Sequence, residues 1–205
     1  MSGRLIYVVN CSLDGYIEDA DGGFGWSEPD EELHQFFNDL LRPIGSFLYG
    51  RRLYESMAVW ETDPSLAAES PVMADFAAVW QDADKIVYST TLEEPITERT
   101  RIERVFDPDA VRGVKAAAAT DLLIGNATLT AHAFRAGLVD EIHLVVAPVA
   151  VGGGKPRSRV VFGSTSSSSR CAASRAPAWW PCAIGYGARR ERRHERRSGR
   201  GPRRS

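Results

Sequence analysis

The sequence predicts an α/β domain with a central, mainly parallel β-sheet and helices on both of its faces. Short apolar runs rich in β-branched residues alternate along the chain with longer segments whose apolar residues follow helical spacing. Glycine-containing and polar segments separate these elements, as turns and loops do. The 205 residues, 43% of them hydrophobic, are enough for one domain with a sizeable core, and we therefore expect a single domain.

The amino-terminal part predicts one strand, one loop and one helix. Residues 5–10 form a short apolar run typical of a buried strand, and residues 12–15 supply the turn that ends it. Residues 19–29 are glycine-rich and acidic and predict a loop. Residues 30–41 predict an amphipathic helix with acidic residues in its first turn. Its apolar stripe consists of Leu33, Phe36, Phe37, Leu40 and Leu41.

The following residues continue the alternation of strands and helices. Further strands are predicted at residues 47–49, 85–89, 101–106, 122–125 and 141–147. Further helices are predicted from Gly50 onward and at residues 72–80, 107–119 and 128–136. Pro108 stands near the first turn of its helix, where proline is well tolerated. This order is typical of a parallel sheet covered on both faces.

The charge distribution divides the chain into two parts. Residues 1–155 hold 12 Lys and Arg against 25 Asp and Glu, a net charge of −13, whereas residues 156–205 hold 13 Arg against 2 Glu, a net charge of +11. Hydrophobic periodicity also stops at residue 157, where a serine run and an arginine-rich end follow. We therefore predict a folded domain over residues 1–156 and a basic tail of low order over residues 157–205.

Three hypotheses account for the tail. It is a basic arm that binds nucleic-acid phosphates, a solvated disordered segment, or the product of a shifted reading frame. GC-rich codons chosen for residues 164–170, read from the third base of each, encode Asp-Leu-Glu-Leu-Leu-Ala, and the same shift through residue 186 permits strand-like alternation around a glycine turn. We favour the shifted frame, which means that a carboxy-terminal hairpin of the sheet is lost and that nucleic acid is not the expected partner.

The sequence also argues against several classes of protein. No apolar run approaches the roughly 20 residues that a membrane helix needs, and the amino terminus lacks a signal-peptide pattern. We therefore expect a cytoplasmic protein without membrane contacts. The three cysteines lack CxxC spacing and neighbouring histidines, so we expect neither a disulfide framework nor a bound metal.

Candidate ligand-binding residues follow the predicted strands. Gly50, Arg51 and Arg52 begin a helix, where free backbone amides and guanidinium groups suit the phosphates of a dinucleotide, although such arginines are often only surface residues. Ser89 and Thr90 follow the next strand, at the carboxyl edge where open α/β sheets bind ligands, although hydroxyls are also common in turns. A third strand-to-helix junction contains Gly125, Asn126, Ala127, Thr128 and Leu129.

Four motifs in this order resemble the dihydrofolate-reductase-like superfamily. The closest resemblance is to its branch with the reductase domain of bacterial riboflavin biosynthesis, the C-terminal domain of a bifunctional deaminase-reductase. The motifs are SLDGYI at residues 12–17, LYGRRLYE at residues 48–55, KIVYSTTL at residues 85–92, and LLIGNATL at residues 122–129 followed by AGLVDEIHLVVAPVAVGGG at residues 136–154. The resemblance covers residues 4–156. The HxE and PCxxC motifs of the zinc-deaminase half do not occur, so we do not expect the bifunctional version.

The resemblance implies NADPH as the cofactor. The glycine-arginine motif at residues 50–52 would contact the cofactor phosphates, and Ser89 and Thr90 would contact the adenosine ribose and its 2′-phosphate. Residues 125–129 would lie against the pyrophosphate. The family usually has two adjacent glycines there, whereas this chain has Gly125 followed by Asn126, a residue that tolerates unusual backbone angles better than most.

The resemblance also implies residues that contact the substrate. Ser12 and Asp14 belong to the segment before the loop that covers the nicotinamide in the family, and Trp26 stands where the family often has a loop tryptophan. Asp14 would orient polar groups of the substrate, or would only form the turn. Dihydrofolate reductases have an acidic residue early in the next helix, so Asp30 and Glu31 join Asp14 as candidate catalytic residues, with a solvated helix start as the simpler interpretation.

These observations predict an NADPH-dependent oxidoreductase that transfers hydride to a small heterocyclic substrate, similar to 5-amino-6-(5-phosphoribosylamino)uracil reductase. Dihydrofolate reduction is the alternative among enzymes. A non-catalytic nucleotide-binding protein whose basic tail binds nucleic acid is the alternative from another class. The resemblance also implies a homodimer.

Overall fold

The computed structural model describes residues 2–156, together with residues 168–171 and 180–185, for which only the backbone strands are considered. The strands are β1 (Leu5–Cys11), β2 (Tyr16–Glu18), β3 (Ile44–Gly50), β4 (Asp84–Tyr88), β5 (Thr100–Glu103), β6 (Asp121–Ile124), β7 (Glu141–Val146), β8 (Lys155–Pro156), β9 (Ser168–Cys171) and β10 (Trp180–Gly185). The helices are α1 (Glu31–Leu41), α2 (Arg51–Met57), α3 (Val59–Thr62), α4 (Pro64–Ala67), α5 (Pro71–Asp82), α6 (Pro108–Ala117) and α7 (Ala127–Arg135).

The main sheet is parallel over six neighbouring strands. Its order is β5-β4-β3-β6-β1-β7-β10-β9, and every pair from β5 to β7 is parallel. β10 pairs antiparallel with β7, and β9 pairs antiparallel with β10. The predicted α/β class, with a mostly parallel central sheet flanked by helices, is confirmed.

The parallel strands bury side chains on both of their faces. On β3, Leu48 belongs to one apolar cluster with Val111 of α6 and Leu129 of α7. The preceding Phe47 belongs to the other cluster, where Trp80 of α5 packs. Because neighbouring residues of a strand point to opposite faces, a continuous apolar run is what a strand between two helical layers requires.

Side-chain caps fix the starts of the longer helices. The Asp30 carboxylate accepts a hydrogen bond of 2.8 Å from Leu33 N at the start of α1. The Ser70 hydroxyl accepts one of 3.3 Å from Met73 N at the start of α5, which continues with Pro71. Asp107 caps α6 in the same way, so the predicted helix starts rest on identifiable local contacts.

Some elements differ from the sequence-based expectation. The strand predicted at residues 101–106 ends at Glu103. The short helices α3 and α4 and the two-stranded sheet of β2 and β8 were not predicted. Elements of two to four residues are too short to show a hydrophobic period, and the β2–β8 pair joins segments about 140 residues apart in sequence, as in Tyr16 with Pro156.

Most of the tail lies outside the described residues. The described segments there are β9 and β10, which extend the main sheet from β7. The predicted domain boundary at residue 156, the shifted reading frame and the loss of the original carboxy-terminal hairpin stay predictions. None of the helices over the described residues combines the length and apolar character needed to cross a bilayer.

Tyr54 connects α2 to the segment between β4 and β5. Its side chain is fully buried, and its hydroxyl oxygen accepts hydrogen bonds from Ile96 N at 2.8 Å and from Thr97 N at 2.9 Å. The hydroxyl also lies 3.0 Å from Thr97 Oγ1. One phenol oxygen therefore satisfies two backbone amides that the loop would otherwise leave without an acceptor.

We predict that Tyr54→Phe lowers the free energy of unfolding by about 1–3 kcal/mol, because it leaves these two amides without their acceptor. Urea denaturation followed by circular dichroism measures the change. Tyr88→Phe is the matched control, since Tyr88 is only half-buried and its hydroxyl makes no hydrogen bond among the described residues. Equal losses in the two variants would contradict the proposed role of the Tyr54 hydroxyl.

Candidate active site

Three strand ends lie side by side at the carboxyl edge of the parallel sheet. Gly50 at the end of β3 pairs with Tyr88 at the end of β4, which places Ser89 beside Gly50. Leu48 of β3 pairs with Ile124 of β6, and Gly125 N donates a hydrogen bond of 2.9 Å to Leu48 O. The junctions that contain Gly50, Ser89 and Gly125 therefore share one edge.

The glycines at this edge allow neighbouring side chains to lie close to the backbone. A Cβ atom on Gly125 would overlap Leu53 Cδ2 and lie 3.2 Å from the Tyr49 ring. A Cβ atom on Gly50 would lie 3.4 Å from Asn126 Nδ2, so the first and third junctions are in contact. A larger residue at Gly125 would therefore displace the Leu53 and Tyr49 side chains.

Asn126 occupies the position where the related motif has a second glycine. Its φ of 80° and ψ of 126° place it among the few non-glycine residues with positive φ in the described chain. Its side-chain oxygen accepts a hydrogen bond of 2.9 Å from Thr128 N, in the first turn of α7. Asn126 thus holds a positive-φ conformation that glycine adopts more readily, and it caps the helix, while Ala127, Thr128 and Leu129 form the first turn.

The two arginines at the start of α2 have different surroundings. Both are exposed, and Arg51 lies 3.7 Å from Glu55, one helical turn later. Arg52 lines the large cavity at this edge. Since the amides in the first turn of a helix lack partners within that helix, Gly50, Arg51 and Arg52 together present amide and guanidinium donors.

The hydroxyl of Ser89 is used within the chain. It accepts hydrogen bonds from Thr91 N at 3.2 Å and Leu92 N at 2.9 Å, and Ser89 is 7% exposed. Thr90 is exposed at the same turn. Ser89 therefore shapes the turn, and Thr90 presents its side chain to solvent at the sheet edge.

A cavity of about 920 Å³ is lined by Arg52, Gly125, Asn126 and Ala127 of the first and third junctions, whereas Gly50, Arg51, Ser89 and Thr90 are not among its lining residues. Its volume lies within the range typical of small-molecule sites. Strand ends, helices α1, α2, α3 and α5, and the β2–β8 pair all contribute to its lining. Its lining includes Glu18, His34, Tyr49, Arg52, Glu55, Trp60, Phe76, Gly125, Asn126 and Lys155. Over the described part of the chain, no group of His, Cys, Asp and Glu is arranged to hold a metal ion.

Ser12 and Asp14 connect the first turn to the segment before β8, and neither lines the cavity. Ser12 Oγ donates a hydrogen bond of 2.6 Å to Asp14, whose carboxylate also accepts bonds from Gly152 N at 2.7 Å and Val151 N at 3.2 Å. The Ser12 bond, followed by the backbone bonds, lowers the pKa of Asp14 and keeps it ionised. With these contacts, the Asp14 carboxylate holds the turn after β1 against the segment before β8.

The other predicted substrate and catalytic residues lie around the start of α1. Trp26 packs against the apolar cluster that contains Leu33 and Phe37. Asp30 caps α1, and Glu31 is exposed in its first turn. None of Trp26, Asp30 and Glu31 lines the cavity, so their predicted contact with substrate stays a prediction.

The structure brings into the cavity three rings that the sequence analysis did not select. His34 of α1 lies 5.8 Å from Trp60 of α3 and 5.4 Å from Phe76 of α5, between ring centroids, and Trp60 and Phe76 are 4.7 Å apart. His34 shares a helix face with Phe37 and Leu41 at i+3 and i+7. That spacing was the one available signal for His34, whereas nothing local connects it to Trp60 or Phe76.

Comparison with known protein families shows to which family the chain belongs. The profile of the RibD C-terminal domain family matches residues 4–176, well over half of the sequence. The chain belongs to the RibD C-terminal domain family. The predicted membership of the dihydrofolate-reductase-like superfamily, in its riboflavin-reductase branch, is thereby confirmed.

Sequence identity between this chain and individual relatives is low, at 11–29% for four of them. An uncharacterized protein of Bacillus subtilis (strain 168), YyaP, is 29% identical over 161 residues, which cover 75% of this chain and 79% of YyaP. A putative riboflavin biosynthesis protein from Shewanella sp. PV-4 has a similar fold, with a TM-score of 0.66 at 20% identity, over 90% of this chain and 98% of that one.

Two further solved structures share the fold. The diaminohydroxyphosphoribosylaminopyrimidine deaminase/5-amino-6-(5-phosphoribosylamino)uracil reductase of Thermotoga maritima has a TM-score of 0.57 at 11% identity, over 90% of this chain and 56% of the Thermotoga protein. Dihydrofolate reductase from Enterococcus faecalis, complexed with NADP(H) and RAB-propyl, has a TM-score of 0.59 at 12% identity, over 90% of this chain and 97% of the reductase.

The β2–β8 pair, which forms one wall of the cavity in this protein, depends on Gly154. Its φ of 126° is unfavourable for any other residue, and an added Cβ would lie 2.5 Å from Asp19 C and closer still to Glu18 O. This approach allows Lys155 Nζ to donate a hydrogen bond of 2.6 Å to Glu18 at the cavity. We predict that Gly154→Ala lowers the unfolding free energy by about 1–3 kcal/mol or more through backbone strain.

Gly153→Ala is the matched control for Gly154→Ala, because an added Cβ there meets nothing within 4 Å. Thermal unfolding of both variants, followed by circular dichroism, measures the difference. We expect the Gly153 variant to unfold close to the wild type. A Gly154 variant as stable as the Gly153 variant would show that the wall tolerates a side chain at this position.

Proposed function

We propose that the protein is an NADPH-dependent reductase that transfers hydride to a small heterocyclic substrate of the kind recognised by 5-amino-6-(5-phosphoribosylamino)uracil reductase. The observation that carries the proposal is the meeting of the Gly50, Ser89 and Gly125 junctions at one sheet edge, beside a cavity of about 920 Å³. Open α/β sheets bind nucleotides at this edge, where loops leave the carboxyl ends of the strands.

The residues present fit a dinucleotide. Gly125 lets the Leu53 and Tyr49 side chains pack against its backbone, and Asn126 next to it keeps a positive-φ backbone conformation beside Gly50. The first turn of α2 has no side-chain cap and offers backbone amides, and Arg51 and Arg52 offer guanidinium groups for phosphate oxygens. When bound, the reduced nicotinamide supplies the hydride.

The remaining walls of the cavity fit a flat, polar substrate. Trp60 and Phe76 provide aromatic surface, while Arg52 and the Lys155–Glu18 pair provide charge at the same cavity. A heterocycle can pack against the rings and direct its polar substituents to these charges. The contribution of the protein is then to orient the substrate and to exclude water from the reacting carbon.

We predict that Arg51→Ala weakens NADPH binding by about tenfold, the loss of one charge-assisted contact, and weakens NADH binding much less, because NADH lacks the 2′-phosphate. Quenching of protein fluorescence measures both dissociation constants. Arg42→Ala is the control, since Arg42 lies just before β3, at the opposite edge of the sheet, and pairs with Asp75. Equal weakening of both nucleotides by Arg51→Ala would contradict contact with the 2′-phosphate.

A substrate comparison tests the reaction itself. We expect loss of the nicotinamide absorbance when the wild-type protein meets NADPH and 5-amino-6-(5-phosphoribosylamino)uracil, and a slower loss with dihydrofolate. Faster oxidation with dihydrofolate would reassign the protein as a dihydrofolate reductase. Tight NADPH binding without oxidation by either substrate would refute the proposed reaction. The protein would then be a nucleotide-binding protein without this activity.

A further inference from the structure

His34 is the titratable side chain of the cavity whose ordinary pKa lies nearest neutrality, among the lining residues that the structure describes. It is half-buried on α1, and its ring lies against Phe76 and Trp60 at 5.4 and 5.8 Å. It lines the same cavity as Gly125 and Asn126. A proton donor in this place can reach a ligand that also meets the sheet edge.

The charged groups on the helices around His34 are exposed or have other partners. Asp30, one turn earlier on α1, accepts a hydrogen bond from Leu33 N, and Glu31 is exposed. Glu61 of α3 accepts a bond of 2.6 Å from Glu98 N and faces Lys85 at 3.7 Å. Asp75 of α5 accepts bonds of 2.8 Å from Asn38 and 2.7 Å from Arg42.

The charged groups across the cavity are also engaged or exposed. Lys155 is bonded to Glu18 at 2.6 Å, and Glu55 lies 3.7 Å from Arg51. Arg52 is exposed at the start of α2. Burial raises the pKa of Tyr49, whose phenol therefore stays neutral over the physiological range.

We infer that His34 is a catalytic residue that donates a proton to a ring or imine nitrogen of the substrate during its reduction. This inference rests on the proposed reductase function. It assigns the acid to a residue other than Asp14, Asp30 and Glu31, because His34 lines the cavity and those carboxylates do not.

The proposed step adds a hydride and a proton across a C=N bond of the substrate. A bound reduced nicotinamide would supply the hydride that forms the C–H bond at the carbon, and the π electrons of the C=N bond would move to the nitrogen. An N–H bond of the His34 imidazolium breaks as its proton forms a new N–H bond on that nitrogen. The substrate is reduced and the nicotinamide oxidised, and the neutral imidazole regains a proton from water.

The environment of His34 sets the direction of the pH dependence. Burial against Trp60 and Phe76 lowers the pKa of His34 below its usual 6.5, because the apolar surroundings disfavour the charged ring. The imidazolium fraction therefore grows as the pH falls towards that lowered pKa. The rate of the reductive step should rise with it and level off at lower pH.

A titration without any nicotinamide tests the contact between His34 and the substrate. Ring C–H signals of the histidines are followed by NMR, and His34→Gln identifies the His34 signal among the four histidines. We expect a midpoint below 6.5. Saturating 5-amino-6-(5-phosphoribosylamino)uracil should raise it by about half a unit or more, because an accepting nitrogen favours the charged ring. An unchanged midpoint with bound substrate would overturn the inference.

Single-turnover NADPH oxidation tests the proton transfer. We expect His34→Phe, which keeps an aromatic wall, and His34→Gln, which keeps a hydrogen-bond donor, to slow the step on the order of 100-fold at pH 6 and to flatten its pH profile. NADPH dissociation constants should change by less than about twofold. His143→Gln is the histidine control, because His143 pairs with Glu141 on β7 outside the cavity.

The outcomes separate the two proposals. If both His34 variants keep the wild-type rate and pH profile, His34 is not the donor, while the reductase function stands. If the wild-type protein binds NADPH but reduces neither substrate, the reductase function fails and the inference fails with it. A variant that loses affinity for substrate but keeps the pH profile assigns His34 to packing and overturns proton donation.

Discussion

The parallel register of β3, β4 and β6 is the constraint on which the candidate site depends. Gly50 pairs with Tyr88, and Leu48 pairs with Ile124, so the three strands end at the same level and their following loops meet. Main-chain hydrogen bonds and apolar side chains on both faces hold this register. A shift of one residue would move side chains such as Leu48 and Phe47 into the opposite apolar cluster, and the close packing of each cluster opposes it.

The cavity combines segments from most of the domain. Its sheet edge comes from the strand junctions, its aromatic wall from α1, α3 and α5, and its charged wall from the pairing of β2 with β8. Each wall has its own support: α1 is capped by Asp30, and the β2–β8 pair requires the backbone conformation of Gly154. The chemistry therefore depends on contacts outside the cavity as much as on the residues that line it.

Several polar residues of the sequence motifs form hydrogen bonds with other groups of the same chain. Ser89 accepts from two backbone amides, Asp14 accepts from Ser12 and two amides, and Asp30 accepts from one. Hydroxyl and carboxylate groups after a strand or before a helix serve turns and caps as well as they serve ligands. Sequence patterns do not distinguish the two uses, because both place the same side chain at the same junction.

The sequence by itself determined the α/β class, the main strands and longer helices, and the family, because these follow from local periodicity, capping residues and ordered motifs. It also placed Gly50, Ser89 and Gly125 after strands. Only the tertiary structure decided that His34 meets Trp60 and Phe76 in one cavity, and that β8 closes on β2. Those contacts join distant segments, and their geometry is fixed by the packing of helices on the sheet rather than by any local pattern.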